Sequence, residues 1–367
     1  MSEVQYWLPE GTIVGNRYEI LDVLGIGGYG ITYRGRDTRL DILVAVKEYF
    51  PSFWATRYTH RDLNVHCVRE HTEEYEKGID RFLDEAKTLV SLSKVPEVVS
   101  VTDFFKENDT AYLVMEFLDG QNLKQMAGGF GGRIPPEVLI PVLEPLVKAL
   151  GKIHETGMIH RDLSPDNIMM LEDGTVRLID FGNARDTSDN KSMTMAMKQG
   201  FAPPEQYRSK GQGTYTDVYG LCATMYYCMT GKLPPQAMDR LTGTPFPTPT
   251  ELGISISPIW ESAIMDGLEL FVQKRIQNME ELWERLYGSN VSEPLYSEVL
   301  LSQSEERSMF FSEDLKQQFY VKTMPTEEFV QNADVEKSAE NFEKALQSGF
   351  DKIRNICVQI YKKLKEK

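Results

Sequence analysis

Two short apolar runs, at residues 168–171 and 176–179, are joined by the turn pair Asp173-Gly174 and flanked on both sides by polar residues. Any fold for this chain has to accommodate that loop–strand–turn–strand–loop unit, since runs so short around an Asp-Gly pair read as strands and not as helices. The loop that enters it reads Ile159-His160-Arg161-Asp162-Leu163-Ser164-Pro165-Asp166-Asn167, and the residues that leave it are Asp180-Phe181-Gly182. An Asp followed five residues later by an Asn supplies two different roles. Asp162 can orient an attacking hydroxyl and accept its proton, and Asn167 can coordinate a divalent cation. Asp180 offers a carboxylate oxygen, the ligand hard cations choose, so it is a second candidate metal ligand.

Further upstream, Gly25-Ile26-Gly27-Gly28-Tyr29-Gly30 lies between strand-like segments. Glycines at these positions allow backbone amides to approach phosphate oxygens without side-chain obstruction. A dinucleotide-binding loop has the same spacing, but it should open a helix. Here Ile31-Thr32-Tyr33-Arg34 reads as a strand. Val44-Ala45-Val46-Lys47 then has the pattern of a buried strand ending in one lysine, and a helix predicted over 80–92 carries Glu85. A Lys47–Glu85 ion pair would hold the ammonium against two phosphates of a nucleotide.

The coarse organisation is α+β. Residues 18–50 read as strand, glycine turn, strand and third strand, followed by the 80–92 helix with Phe82, Ala86, Leu89 and Val90 on one face. Two more strands are predicted at 98–105 and 111–117, on either side of Asn108-Asp109. Helical patterns then dominate, at 139–154, 218–229 and 260–271. Residues 288–334 form an acidic, weakly periodic linker. A helical stripe returns over 335–367 (Ala339, Phe342, Leu346, Phe350, Ile353, Ile356, Ile360, Leu364), giving an amphipathic C-terminal helix.

Bulk properties narrow the class. The net charge of −15 argues against a general nucleic-acid binder, which would show a basic face. No apolar run approaches the roughly 18–20 residues needed to span a bilayer, and residues 1–11 lack a signal pattern. The four cysteines, Cys67, Cys222, Cys228 and Cys357, are widely spaced, which suits a reducing compartment. The expected location is cytoplasmic.

Taken in order, these motifs resemble the eukaryotic-like (Hanks-type) serine/threonine protein kinases, most closely their bacterial branch, over about residues 18–287. The resemblance implies a bilobal protein-kinase fold: a small antiparallel β-sheet lobe with one key helix (18–118) and a mainly helical lobe (119–287), preceded by a lead-in at 1–17. It implies ATP and Mg²⁺ (or Mn²⁺) as cofactors, and γ-phosphoryl transfer to Ser/Thr hydroxyls of protein substrates, autophosphorylation included. Asp162 and Lys47 would be catalytic, with Asn167 and Asp180 on the metal. ATP would contact Leu24, Gly25, Gly27, Gly28, Gly30, Thr32, Ala45, Lys47 and Glu85, then Met115 as gatekeeper, Glu116 to Leu118 as the hinge, and Met169 beneath the adenine. Ala202-Pro203-Pro204-Glu205 resembles the family's A-P-E element, with Glu205 paired to Arg275. Asp217 would prop the catalytic loop, and Leu89, Val101, His160 and Phe181 would form a stacked spine.

Ser164 departs from the pattern. The family usually has a lysine there, which neutralises the transferring phosphoryl. Counting back from Glu205 puts Lys198 where the family usually has a threonine, so Lys198 is the candidate replacement cation and Ser164 its hydroxyl partner. Thr187, Ser188, Ser192 and Thr194 are candidate phosphorylation sites, with Arg161 as the expected partner of the modified residue. A second His-Arg-Asp at 60–62 lacks the following asparagine and reads as a chance match in a long insertion. The spacing of His60, His66, Cys67 and His71 matches no tetrahedral zinc site. The C-terminal helix is expected to dock on the kinase body or a partner protein, with an anionic membrane surface as the other reading. Its lysine-rich end also fits a fragment of a longer chain. A pseudokinase-type nucleotide-binding scaffold and a small-molecule kinase of related fold are the competing functions.

Overall fold

Alternating burial along successive strands gives the first lobe its shape. The computed structural model describes residues 6–59, 62–181, the backbone of 185–186, 198–208 and 211–288. The predicted C-terminal helix, the linker beyond Gly288 and the four candidate phosphorylation sites lie outside the described residues. Strands β1 (Ile13–Val14), β2 (Tyr18–Ile26), β3 (Gly30–Asp37) and β4 (Ile42–Tyr49) are followed by the short β5 (Ala55–Thr56) and β6 (His66–Cys67). Helix α1 (Thr72–Ser91) comes next, then β7 (Val101–Glu107) and β8 (Thr110–Glu116). One antiparallel sheet has the order β1-β2-β3-β4-β8-β7. In β4, Val44, Val46 and Glu48 are buried on one face, while Ala45 and Lys47 point to the other. Thr32 pairs with Lys47 and Ala45 with Met115, so these four positions share the face that carries Lys47.

The second lobe begins with β9 (Gly120–Asn122), α2 (Leu123–Gly129), α3 (Pro136–Glu155) and β10 (Met158–Ile159). The predicted hairpin is β11 (Ile168–Leu171) with β12 (Val176–Leu178), antiparallel, and β9 pairs on its far side. β13 (Arg185–Asp186) pairs with β10. The remaining helices are α4 (Thr214–Thr230), α5 (Ala237–Leu241), α6 (Pro258–Gly267) and α7 (Met279–Tyr287). α4 is buried along nearly its whole length and forms the centre of this lobe.

Among the boundaries that differ from the sequence reading, three have a visible cause in the surrounding contacts. α1 starts at Thr72, not residue 80, because its first turns have their own anchors: Trp54 stacks on His71 at 5.3 Å and the Tyr75 hydroxyl donates to the Asp109 carbonyl at 2.9 Å. The strand expected from residue 98 begins at Val101, because residues 97–99 pair with β12 instead: Leu178 N donates to Glu97 O and Val99 N to Leu178 O. The helix expected to reach residue 271 stops at Gly267. There the Arg275 guanidinium donates to the carbonyls of Glu269 and Leu270, so the chain turns toward it.

Candidate active site

The two lobes meet at Lys47. Its Nζ lies 3.0 Å from Glu85 Oε1 of α1 and 3.3 Å from Asp180 Oδ1, at the exit of the hairpin. Burial would discharge the ammonium, but the Asp180 and Glu85 carboxylates beside it win and raise its pKa. Burial drives Glu85 the other way, to about 7, with Lys47 opposing and the Asp180 charge adding to the rise. In the metal-free protein these two carboxylates therefore compete for one cation.

The catalytic loop is held from below. Asp217, at the start of α4, accepts the backbone amides of His160 and Arg161, each at 2.7 Å, and its carboxylate also meets His154 Nε2 at 2.8 Å. Burial would raise the Asp217 pKa, yet these donors pull it below the ordinary carboxylate value. Arg161 adopts φ +68°, a left-handed conformation that costs a non-glycine residue about 1 kcal/mol or more. The two Asp217 contacts, and Gln206 donating to the Arg161 carbonyl at 2.8 Å, hold it there. Its guanidinium meets Gln212 Oε1 at 3.0 Å. His160 is fully buried; burial lowers its pKa, and its neutral Nδ1 accepts the Asp162 amide at 3.2 Å. The His160 and Phe181 rings meet edge to face at 4.6 Å, and Leu89 is buried.

Asn167 donates its Nδ2 to the Asp162 carbonyl at 2.9 Å, and its own carbonyl accepts from Ile179 N at 3.1 Å. The first bond leaves the amide oxygen as the side chain's acceptor. That oxygen and the Asp180 carboxylate form a donor set suited to a hard divalent cation, so the residues fit Mg²⁺.

At the mouth of the cleft, Gly27 N donates to Gly30 O at 2.8 Å and closes the glycine turn. A Cβ on Gly30 would sit 2.7 Å from the Glu48 carbonyl, so only glycine lets β3 lie this close to β4. Leu24 is exposed beside this turn, Met115 is buried, and Met169 on β11 pairs with Asn122. Glu116 N donates to Ser100 O, and its carboxylate accepts Ser100 N at 2.8 Å, fixing the strand end that leads to Leu118.

Lys198 reaches the catalytic loop: its Nζ is 2.9 Å from Ser164 Oγ and is ion-paired with Asp166. Glu205 and Arg275 form a bidentate pair, at 2.5 and 3.1 Å.

Several residues that organise the site were not singled out from sequence. Glu48, next to Lys47 but on the opposite face, is fully buried and accepts hydrogen bonds from the hydroxyls of Tyr33 and Tyr112 at 2.8 and 2.7 Å. Its ion-pair partner is Arg57 of the insertion, which also donates to the Leu63 and Tyr6 carbonyls. The insertion is thus a strap that ties the lead-in to the back of the sheet. Its start also touches the glycine turn, through Ser52 N to Gly28 O at 3.1 Å. Of the residues considered for zinc, His66 meets Asp62 at 2.7 Å, Cys67 Sγ donates to the Val68 carbonyl at 3.3 Å and His71 stacks on Trp54, while His60 lies outside the described residues.

The sequence matches the protein kinase domain family over residues 18–245, more than half of the chain. The chain belongs to the protein kinase family. Among its relatives, a probable serine/threonine-protein kinase of Clostridium perfringens is 34% identical over 230 residues, covering 61% of this chain and 30% of the relative. The serine/threonine-protein kinase PknB of Mycobacterium leprae is 27% identical over 314 residues, covering 82% of this chain and 47% of the relative. A solved structure titled PpkA-294 apo form superposes with a TM-score of 0.68 at 33% identity, covering 77% of this kinase and 100% of that chain. The bilobal fold and the bacterial serine/threonine-kinase resemblance expected from the motifs therefore hold. The kinase spans less than half the length of these curated relatives.

Proposed function

We propose that this kinase transfers the γ-phosphoryl group of Mg²⁺-bound ATP to Ser/Thr hydroxyls of protein substrates, itself included. The observation that carries the reading is Lys47 bridging Glu85 and Asp180, because it joins the sheet, α1 and the hairpin exit around one cation suited to phosphate. Asn167 and Asp180 would hold Mg²⁺, which when bound offsets charge on the phosphates. Asp162 takes the proton of the attacking hydroxyl as that oxygen bonds to the γ-phosphorus. The bond from phosphorus to the β,γ-bridging oxygen breaks, and its electron pair leaves on ADP. Leu24, Thr32, Ala45, Met115 and Met169 would enclose the adenine, with the 116–118 backbone at its polar edge.

Protein substrates are supported by the docked stretch 198–208, which the Glu205–Arg275 pair fastens to the helical lobe. Cys67, Cys222 and Cys228 are free thiols, which supports action in the reducing cytoplasm. No observation favours a scaffold that binds nucleotide without transfer.

The test is transfer of label from γ-labelled ATP, with Mg²⁺, to the kinase and to a generic protein acceptor, with Asp162→Asn as the control. Label on Ser or Thr that disappears in the variant supports the proposal. Nucleotide binding with no label in the unchanged protein overturns it.

A further inference from the structure

Residues 198–208 return to the helical lobe through contacts that leave little freedom in where Lys198 sits. Gly200 has φ +80°, and a Cβ there would lie 2.7 Å from the Pro234 carbonyl. Phe201 packs edge-on against Tyr227 at 5.9 Å, Phe201 N donates to the Lys198 carbonyl at 3.1 Å, and Glu205 is locked to Arg275. So anchored, the chain directs the Lys198 ammonium at the loop that holds Asp162. Its two partners there are Ser164, fully buried and two residues past Asp162, and Asp166, directly before Asn167.

Asp166 has a second cation, Lys124 Nζ of α2, at 3.3 Å. Burial would favour its neutral form, but the two ammonium groups hold it ionised. A carboxylate pinned between two lysines is a rigid seat for one of them. Lys124 is largely exposed, whereas Lys198 is half-buried and in contact with the catalytic loop itself. An ammonium has three donors. Ser164 and Asp166 take two, and about a third of the Lys198 side chain remains exposed for another acceptor. Lys47 is poorly placed for the same task, since Glu85 and Asp180 engage it on the other side of the hairpin exit.

We propose that Lys198 is the catalytic cation that contacts the transferring phosphoryl, and that Asp166 is the positioning residue that seats it; this rests on the kinase reading above. The equatorial oxygens of the phosphoryl carry negative charge as the bond to the bridging oxygen breaks and the bond to the substrate oxygen forms. Lys198 keeps its protons throughout: the hydroxyl proton goes to Asp162 and the electron pair leaves on ADP. Because the cation arrives on residues 198–208, phosphoryl transfer depends on that stretch being docked.

The test uses the full chain and the variants K198S, K198Q, D166N and D166E, plus the transposed pair S164K/K198S. K198S and K198Q are expected to lower kcat on the order of 10²–10³-fold and to raise KM for ATP by up to about tenfold, because the same contact reaches the γ-phosphate of bound ATP. Transposition is expected to return at least about tenfold of that loss, since it restores a cation beside Asp162. D166N should lower kcat about tenfold, through misplacement of the cation, and D166E should recover most of it.

A second measurement needs no turnover: affinity for a non-hydrolysable ATP analogue compared with ADP, both with Mg²⁺. K198S should reduce the preference for the analogue about tenfold, the value of one charge-assisted hydrogen bond. Lysine variants that keep kcat within about threefold of the unchanged protein would overturn the proposal, as would an unaltered analogue preference in K198S. If the unchanged protein transfers nothing, the kinase reading fails, and the affinity ratio still decides whether Lys198 touches the γ-phosphate.

Discussion

Replacing Glu205 by glutamine should destabilise the helical lobe by about 3–4 kcal/mol at neutral pH, in the range for breaking a buried ion pair from one side. The figure follows from how Arg275 is enclosed. Its side chain has no solvent exposure, and its guanidinium makes five hydrogen bonds: two to Glu205, and one each to the carbonyls of Tyr215, Glu269 and Leu270. It also lies 5.0 Å from the centre of the Tyr219 ring. The three carbonyls and the ring would still solvate the cation in E205Q, which keeps the cost below the upper end of the range. What disappears is the only opposite charge in direct contact among the described residues, and glutamine can return one acceptor at most. Thr216, which donates to Glu205 Oε1 at 3.1 Å, would have to re-aim as well. R275M should cost a similar amount, because Thr216 is then the one side-chain partner of buried Glu205 among the described residues. The pair should therefore couple by about 2–3 kcal/mol in a double-mutant cycle. Urea unfolding followed by tryptophan fluorescence reads this directly, since Trp260 is buried in the same lobe. A fall in midpoint at constant slope gives the energy. A loss below about 1 kcal/mol for E205Q, the value of an exposed pair, would refute the reasoning.

Two glycines of the nucleotide loop should respond oppositely to alanine. G30A drives a Cβ to 2.7 Å from the Glu48 backbone and should cost about 1–3 kcal/mol in the same unfolding assay, while G25A, with nothing within 4 Å, should stay within about 0.5 kcal/mol. In the nucleotide- and metal-free kinase, Glu85 holds its proton to about pH 7 when folded, against 4.5 for the ordinary group. Between those values the folded state binds more protons, so this group's contribution to stability is full below 4.5 and is lost as pH rises to 7. E85Q should remove that component: the difference in melting temperature between E85Q and the unchanged kinase should vary across this window, and a constant difference would contradict the assignment.

Much of the fold could be read from local pattern. β2, β3 and β4 fall within the strands expected over 18–50, and the hairpin of β11 and β12 falls within one residue of the apolar runs at 168–171 and 176–179. Both follow from side-chain alternation and turn residues, which act between near neighbours. Helix ends fared worse where their limits are set from afar. α6 stops early because Arg275, fixed by Glu205 70 residues away, takes the next carbonyls, and α1 starts early because Trp54 and Asp109 anchor its first turns. No periodicity carries that information, because the partners are loop residues with no required spacing.

Residue type and order alone establish which groups are present: the glycine turn, Lys47, Glu85, Asp162, Asn167, Asp180 and a lysine at 198 in place of one at 164. Tertiary structure alone decided which of them meet. Lys47 and Asp180 are 133 residues apart in the chain, Arg275 and Glu205 are 70 apart, and Lys198 reaches Ser164 across 34. It also exposed what a motif reading passes over, the buried Glu48–Arg57 pair and Asp166 held between Lys124 and Lys198. The physical reason is the same in each case: residue type and spacing report local conformation, whereas an ion pair or hydrogen bond depends on where two distant backbones are brought by the packing of everything between them.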